Sequence, residues 1–320
     1  MRNVRRVALD RYTAPNESFA PVVRSRIAVL GARSAPKDAA NQPRVLTGVA
    51  RAGPWLVLVV GLLAWRGAIG QEATEIFQGE EVEQFLLEAR VTDLRAIGQG
   101  VTLPRRATLE LDGVTQSAAF KTIDVAKSGV TQFAQGGGEI NFQDSWRTEI
   151  PGYVVDRIIG LGMVPATVER NINGQVGSLQ FWVTSMMPEA QRVRKKVSPP
   201  DTEAWNRLMF KVRLFDNLIY NTDRHLNNIL VTKDFQIRLI DHSRSFRSFE
   251  QLRTPEVLPR FSRSLLEGLQ KLEEKDLTEK LGRNYLTPFQ IRALLKRRDA
   301  IVELARKRVA ERGEAAVLYP

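Results

Sequence analysis

The spacing of hydrophobic and polar positions differs between the two halves of residues 91–320, and it predicts different elements in each half. Short apolar runs in the first half are interrupted by turn residues such as the Asp112-Gly113 pair, which is typical of a β-hairpin. Four strands are predicted there, at residues 106–111, 114–123, 163–168 and 177–183. We therefore expect a small, strand-rich first lobe.

Apolar side chains at helical spacing predict three helices. One begins near Glu149, because Pro151 is tolerated only in the first helical turn, and it ends at Gly160. A long core helix covers residues 203–220, with an apolar stripe of Trp205, Leu208, Met209, Val212, Phe215, Leu218 and Ile219. The last helix starts at Thr287 as N-cap, with Pro288 in its first turn.

The last helix is basic along one side, which carries Lys296, Arg297, Arg298, Arg306, Lys307 and Arg308. We interpret this side as a solvated face of a helix that closes the second lobe. The alternative is a basic amphipathic helix lying on an acidic membrane.

Residues 1–70 differ in composition from the rest of the 320-residue chain. Residues 1–53 are rich in Arg, Ala, Pro and Ser, which indicates a disordered leader or an upstream start that does not belong to the mature protein. Residues 54–65 are an apolar run followed by small residues, so 54–70 is predicted to be a signal peptide or membrane anchor. A buried helix is the alternative for this segment.

Charge argues against a nucleic-acid partner. The net charge is +11, but residues 1–70 hold 11 basic and 3 acidic side chains, leaving 36 basic and 33 acidic in the other 250 residues. A surplus of +3 is too small for a phosphate-binding surface of that size. The absence of cysteine excludes disulfides, thiolate metal sites and a cysteine nucleophile.

The most specific chemistry follows the core helix. A polar loop with Asp223 and Asn228 leads into a predicted hairpin, and Asp241 stands directly after that hairpin. Phosphoryl transfer needs a carboxylate that orients the attacking hydroxyl, an amide oxygen that holds metal, and a second carboxylate for the metal. These three residues supply the three groups, and the hairpin can fold Asp241 back beside the loop.

Two features of the first lobe add phosphate-binding groups. Strand alternation places Ala119, Lys121 and Ile123 on one face, and Glu149 at the start of a helix can pair with the lysine. A surface lysine on an edge strand is the alternative. Gly98-Gln-Gly100 precedes the hairpin, where glycines let backbone N–H groups approach phosphates.

The segment DNLIYNTDRHLNNIL followed by LIDHSRSF resembles the catalytic core of the atypical protein-kinase-like superfamily. The similarity is greatest to the phosphatidylinositol 3- and 4-kinases and to the secreted casein-kinase-like family of the Golgi. It is sharp over residues 213–249 and diffuse elsewhere in 91–310. The chain departs from many kinases in having His242-Ser243 where they have Phe-Gly, and in its spare glycine loop.

The resemblance implies an α+β, two-lobed kinase-like fold, with a small strand-rich N-lobe over 71–183 and a larger, mainly helical C-lobe over 184–320. It also implies roles for individual residues: Asp223 as catalytic carboxylate, Asn228 and Asp241 as metal ligands, Lys121 as phosphate-binding lysine with Glu149 as its partner, Gly98 and Gly100 in the phosphate loop, and Ala119 in the adenine pocket. His225 would pack within the catalytic loop and brace it.

The expected function is transfer of the γ-phosphate of ATP, with Mg²⁺ or Mn²⁺, to a hydroxyl of a protein, lipid or sugar. Two alternatives remain: a pseudokinase that binds nucleotide or acts as a scaffold, and a transition-metal site formed by His225 and His242 with a nearby Asp. We expect an exported or membrane-anchored protein, with membrane association through 54–65, or a cytoplasmic one if that segment is not used.

Overall fold

The computed structural model describes residues 76–98, 104–127, 129–132 and 138–320, which belong to one compact unit. The predicted leader (1–53), the predicted signal peptide or anchor (54–70) and Gly100 lie outside these residues. Among the described residues, no helix combines the length and the apolar character needed to cross a membrane. The division of the two lobes at residues 183 and 184 stays a prediction.

Strands dominate the first part of the described chain and helices the second. The strands are β1 (Arg90–Ala96), β2 (Arg105–Leu111), β3 (Val114–Lys121), β4 (Asp124–Ala126), β5 (Val130–Gln132), β6 (Gly138–Ile140), β7 (Gln143–Ser145), β8 (Thr167–Ile172), β9 (Gln175–Phe181), β10 (Met187–Pro188), β11 (Ile229–Val231), β12 (Ile237–Leu239), β13 (Phe261–Ser262) and β14 (Leu318–Tyr319). The helices are α1 (Glu80–Glu88), α2 (Glu149–Ile159), α3 (Glu189–Arg194), α4 (Thr202–Leu218), α5 (Arg263–Leu269), α6 (Glu274–Leu281), α7 (Pro288–Arg312) and α8 (Glu314–Val317).

A five-stranded antiparallel sheet in the order β1-β2-β3-β9-β8 forms the first lobe. Two of its hairpins turn at Asp112-Gly113 and Asn173-Gly174, where all four residues have positive φ. This is the type I′ geometry, which matches the twist of the strands that it joins. The first hairpin was predicted. The predicted strand at 163–168 was wrong in its bounds: β8 begins only at Thr167 and continues to Ile172, where the Asn-Gly turn follows.

The two faces of this sheet have different roles. Paired residues on neighbouring strands share a face, and one face consists of the buried residues Ala107, Leu109, Ala118, Phe120, Leu179 and Phe181. Helix α1 packs against β2, β8 and β9 and covers this face. The opposite face carries Arg106, Ala119 and Lys121, so the predicted phosphate-binding lysine lies on the side away from the apolar core.

Helix α4 is the core helix of the second lobe. Its N-cap is Asp201, whose side chain accepts hydrogen bonds from the first-turn N–H groups of Glu203 and Ala204. The predicted stripe faces inward, with Trp205, Val212, Phe215, Leu218 and Ile219 all buried. Helix α7 packs against α4 and begins as predicted, with Thr287 and Gln290 forming a capping box around Pro288.

The predicted solvated position of Arg297 on α7 is wrong. Its side chain is 0% exposed and donates hydrogen bonds to the carbonyl oxygens of Leu218, Arg247 and Phe249. The guanidinium also lies 5.5 Å from the centre of the Tyr220 ring. Burial lowers the pKa of Arg297 to about 10. A buried cation therefore ties α7 to the end of α4 and to the segment after β12.

Four short strands between β3 and α2 were not predicted. β4 pairs with β7, and β5 pairs with β6, each antiparallel. Each strand has only three residues, and most of their side chains are exposed or half-buried. This inserted segment brings residues 138–145 close to the residues that follow β12.

Candidate active site

Lys121, Glu149 and Asp241 meet at one point between the sheet and the helical part. The Lys121 Nζ lies 2.6 Å from Glu149 Oε1 and 2.9 Å from Asp241 Oδ1. Lys121 is the last residue of β3, Glu149 the first of α2, and Asp241 follows β12. The structure thus brings together three predicted site residues that are up to 120 positions apart in sequence.

The electrostatics keep all three groups charged. Burial disfavours the Lys121 ammonium, but the Asp241 and Glu149 carboxylates outweigh it and raise the pKa of Lys121. Burial likewise opposes ionisation of both carboxylates, and the neighbouring lysine prevails and lowers the pKa of Glu149 and of Asp241. Two carboxylates around one ammonium leave a local charge of −1, which favours a bound cation.

Glu149 also anchors the segment that follows Asp241. Its second oxygen, Oε2, accepts a hydrogen bond of 3.0 Å from the backbone N–H of His242. The Thr148 hydroxyl donates to the carbonyl oxygen of His242, and the backbone N–H of Ser145 donates to that of Ser243. Asp241 itself has φ of 61°. The backbone turn that aims its carboxylate is therefore held from the α2 side.

His242 is enclosed beneath this turn, with its Nδ1 3.6 Å from Glu149 Oε2. It is 0% exposed, and its ring meets Phe215 edge to face at 5.8 Å between centroids. A Cβ on Gly152 would lie 3.0 Å from the His242 ring, so a side chain there would push against the ring. Burial lowers the pKa of His242, and the nearby Glu149 offsets this only in part. The ring is therefore neutral and takes the place of an apolar side chain.

The two-histidine metal site is not formed. His225 is exposed in the loop, whereas His242 is enclosed by Phe215 and Gly152. Within residues 76–98, 104–127, 129–132 and 138–320, no group of three His, Cys, Asp or Glu side chains is placed to hold a metal by itself.

Asp223 and Asn228 lie on a tightly bonded loop after α4. The Asn221 side chain accepts from the Asp223 N–H at 2.9 Å, and Asn228 Nδ2 donates to the Asp223 carbonyl oxygen at 3.2 Å. The Ile240 N–H donates to the Asn228 carbonyl oxygen, which places the loop beside Asp241. Asn228 is buried, while the Asp223 side chain is 41% exposed and open to an incoming molecule.

Arg224, and not His225, braces this loop. The Arg224 guanidinium forms an ion pair with Asp216 of α4 at 3.0 Å and donates to the carbonyl oxygens of Asn228 and Ile240. His225 contributes through its backbone, since its carbonyl oxygen accepts from Asn228 N–H, and its side chain is exposed. The predicted bracing by the histidine side chain is wrong, because that side chain is exposed. Arg224 braces the loop instead, since one planar guanidinium can reach three acceptors at once.

Arg244 and Glu139 were missed by the sequence analysis. Arg244 Nη1 lies 3.6 Å from Asp223 Oδ2, and another nitrogen of the same guanidinium binds Glu139. Glu139 also pairs with Arg247 at 2.6 Å. The inserted segment thus reaches the Asp223 loop through Arg244, and Arg247 holds Glu139 from the segment after β12. The two arginines of the RSFR stretch at 244–247 indicated that acidic partners lie nearby. No sequence pattern identified Glu139 on β6 as that partner.

Of the remaining predicted residues, Ala119 lies in the sheet and Gly98 in a loop beside it. Gly98 follows β1 with φ of 71°, in the loop that leads to β2, and the Ile97 N–H closes this loop by donating to the Pro104 carbonyl oxygen. Ala119 is half-buried, two residues before Lys121 on the same strand face. Gly100 lies outside the described residues.

The side chains beside Lys121 fit a hard divalent cation and phosphate groups. Asp241 is 26% exposed, and Asn228 presents an amide oxygen when its Nδ2 is used by the loop. Close by, Asp144 Oδ1 is buried without a hydrogen-bond partner among the described residues, and burial raises the pKa of Asp144. Carboxylate and amide oxygens are the ligands that Mg²⁺ and Mn²⁺ prefer. A separate cavity of about 400 Å³ is lined by α4, by the loop of Asp223 and by Arg253, Thr254 and Val257, and by none of Lys121, Glu149 and Asp241.

Solved structures share this fold at low sequence identity. The structure of hydra Fam20 with sugar has 16% sequence identity and a TM-score of 0.56, covering 74% of this chain and 91% of that one. The crystal structure of the Golgi casein kinase has 15% identity and a TM-score of 0.52, covering 74% and 78%. The Helicobacter pylori proinflammatory kinase CtkA has 10% identity and a TM-score of 0.48, covering 71% and 98%. No protein-family model and no curated protein matches the chain.

Proposed function

From the atypical protein-kinase-like fold that the chain has, we propose that it is an ATP-dependent phosphotransferase that moves the γ-phosphate to a hydroxyl group. The observation that carries this proposal is the contact of Lys121 with both Glu149 and Asp241, next to the loop of Asp223 and Asn228. A kinase needs these groups in this arrangement, because its catalysis consists of positioning and electrostatic stabilisation.

Each residue has a distinct role in the proposed reaction. Lys121 binds the α- and β-phosphates, and Glu149 fixes the direction of its ammonium group. Asp241 and Asn228 hold Mg²⁺ or Mn²⁺ through their side-chain oxygens. The bound metal supplies electrostatic stabilisation of the negative charge on the transferred group.

Asp223 orients the acceptor hydroxyl and takes its proton. Its carboxylate is the most exposed of the site's acidic groups, which leaves room for a substrate beside it. Arg244, 3.6 Å away, restrains the carboxylate from one side. The acceptor hydroxyl belongs to a protein, a lipid or a sugar.

The proposal extends to partners and location. The small net charge of residues 71–320 argues against a nucleic-acid partner. The sequence of residues 54–70 favours export or a membrane anchor. One structural neighbour is described as a Golgi kinase, which agrees with an exported enzyme. If residues 54–70 are not used as a signal, the protein is cytoplasmic.

Two substitutions separate nucleotide binding from transfer. Asp241→Ala should abolish metal-dependent ATP binding, because it removes the carboxylate that holds the cation. Asp223→Ala should leave binding intact and reduce transfer by about 10²- to 10⁴-fold, the range typical of a general base. Binding is measured by isothermal titration calorimetry of the full chain with ATP and Mg²⁺ or Mn²⁺, and transfer by release of ADP.

Asp299→Ala is the matched control, since Asp299 is exposed on α7 and far from the site in sequence. Equal ATP binding by wild type and Asp241→Ala would contradict the metal assignment. Binding of metal and ATP by the wild type without any transfer, to every acceptor class tested and to water, would instead support the pseudokinase alternative.

A further inference from the structure

Arg106 occupies an unexpected place on the sheet face that carries Lys121. In the β2–β3 pairing Arg106 lies directly opposite Ala119, so the two share a face with Ser117 and Lys121. On β9, Gln180 pairs with Ala119 from the other side and is buried. A guanidinium therefore stands beside the alanine predicted to line the nucleotide pocket.

The position along β3 indicates which part of a nucleotide would lie there. Strands rise about 3.3 Å per residue, so Ala119 is about 7 Å and Ser117 about 13 Å from Lys121 along the strand. The phosphates belong at the Lys121 end, where Glu149 and Asp241 gather. A nucleotide held there extends its base toward Ala119 and Ser117, away from the two carboxylates.

Arg106 is held in place at this far end. Its Cζ lies 4.7 Å from the centre of the Trp182 ring, and its Nε donates to Ser117 Oγ at 3.1 Å. The Trp182 N–H donates to the Ser117 carbonyl oxygen at 3.0 Å, which fixes the indole directly after β9. The guanidinium is thus oriented by two neighbours, while the residue as a whole is exposed and accessible.

Arg105, the neighbour of Arg106 on β2, lies on the other face of the sheet and serves as a comparison. Arg105 pairs with Phe120, lies on the opposite face and stacks on the Phe120 ring at 5.1 Å. It also binds the Gln175 side chain. Arg105 therefore supports the covered face of the sheet, whereas Arg106 faces the nucleotide side.

We infer that Arg106, oriented by Trp182 and Ser117, binds the nucleobase by stacking its planar guanidinium against a purine ring. This inference rests on the proposed function. Guanidinium groups stack on aromatic rings, and a purine offers a larger ring surface than a pyrimidine. The contact adds affinity through the base alone and leaves the contacts of the phosphates unchanged.

The test compares ATP with inorganic tripolyphosphate, which has the phosphates and no base. Calorimetry is carried out on the full chain with Mg²⁺ or Mn²⁺ for wild type, Arg106→Ala and the matched control Arg105→Ala. We expect Arg106→Ala to weaken ATP binding by about tenfold, within the range of base stacking. Its affinity for tripolyphosphate should equal that of the wild type, and Arg105→Ala should bind both ligands normally.

A second variant separates the loss of the planar group from the loss of the positive charge. Arg106→Lys keeps the positive charge and removes the planar group, so it too should bind ATP several-fold more weakly and tripolyphosphate normally. The inference is overturned if Arg106→Ala binds ATP like the wild type, or if both ligands weaken equally. Failure of the wild type to bind either ligand would overturn the proposed function and this inference with it.

Discussion

At the scale of single residues, the charges around Lys121 define the site. One ammonium is enclosed by two carboxylates. The carboxylates keep the lysine charged, and the lysine keeps each carboxylate charged, despite burial. Buried charges of this kind are costly unless they are paired, so removal of Lys121 would leave two uncompensated carboxylates. The surplus negative charge suits a site that receives a cation together with phosphate.

His242 adds a pH-dependent term to folding. The pKa of His242 is lowered by burial, so the unfolded chain takes up a proton below about pH 6.5 before the folded chain does. The free energy of unfolding should therefore fall as the pH decreases from 7.5 to 5.5. His242→Phe should reduce this loss, because phenylalanine has no titrating group.

Urea unfolding of metal-free wild type and His242→Phe at pH 7.5 and 5.5 measures the difference. The carboxylates of Glu149 and Asp241 have lowered pKa values, so they stay ionised in the folded state throughout this range. Identical losses of stability in the two proteins would contradict the prediction that His242 contributes to the pH dependence of folding.

At the scale of elements, α2 is the helix whose position matters most, because it carries Glu149 and the contact with His242. Its other end meets α5 at very short range. A Cβ added to Gly268 would lie 2.0 Å from the Ile159 carbonyl oxygen, a distance that only a backbone shift could relieve. Glycine at this position therefore sets the approach of α5 to α2.

Gly268→Ala should destabilise the fold by about 1–3 kcal/mol, the usual cost of overpacking. Glu267→Ala is the matched control, because Glu267 is the exposed neighbour on the same helix and its loss should cost less than about 0.5 kcal/mol. Equilibrium urea unfolding measures both. Equal midpoints for Gly268→Ala and Glu267→Ala would refute the close contact between the helices.

Elements with strong local signals were predicted from sequence, and those stabilised by distant contacts were not. The Asp112-Gly113 hairpin, the start of α2 and the capped start of α7 each depend on a few adjacent residues. The four strands between β3 and α2 are too short to show a period. Their contacts with Arg244 and Arg247 depend on tertiary structure, as does the burial of Arg297.

The same distinction applies to the candidate site. The sequence predicted that Asp241 lies beside the loop of Asp223 and Asn228, because only one hairpin separates Asn228 from Asp241. The bracing residue was assigned wrongly, since nothing in the sequence distinguishes an exposed His225 from a half-buried Arg224. Only the position of Asp216 on α4 decides which side chain turns inward.

At the scale of the whole molecule, the fold joins a strand-rich part and a helical part around one charged centre. The sheet supplies Lys121, α2 supplies Glu149, and the helical part supplies Asp223, Asn228 and Asp241. A ligand that contacts all of them would link elements far apart in sequence. Such a ligand should stabilise the folded chain against unfolding as a whole.

Thermal unfolding of the full chain with ATP and Mg²⁺ or Mn²⁺, against ATP alone and each metal alone, tests the central claim directly. A ligand at 100 times its dissociation constant adds about 2.7 kcal/mol, which raises Tm by several degrees in a protein of this size. We predict a rise in Tm that requires ATP and metal together. A well-folded chain whose Tm is the same under all conditions would contradict the proposed nucleotide site.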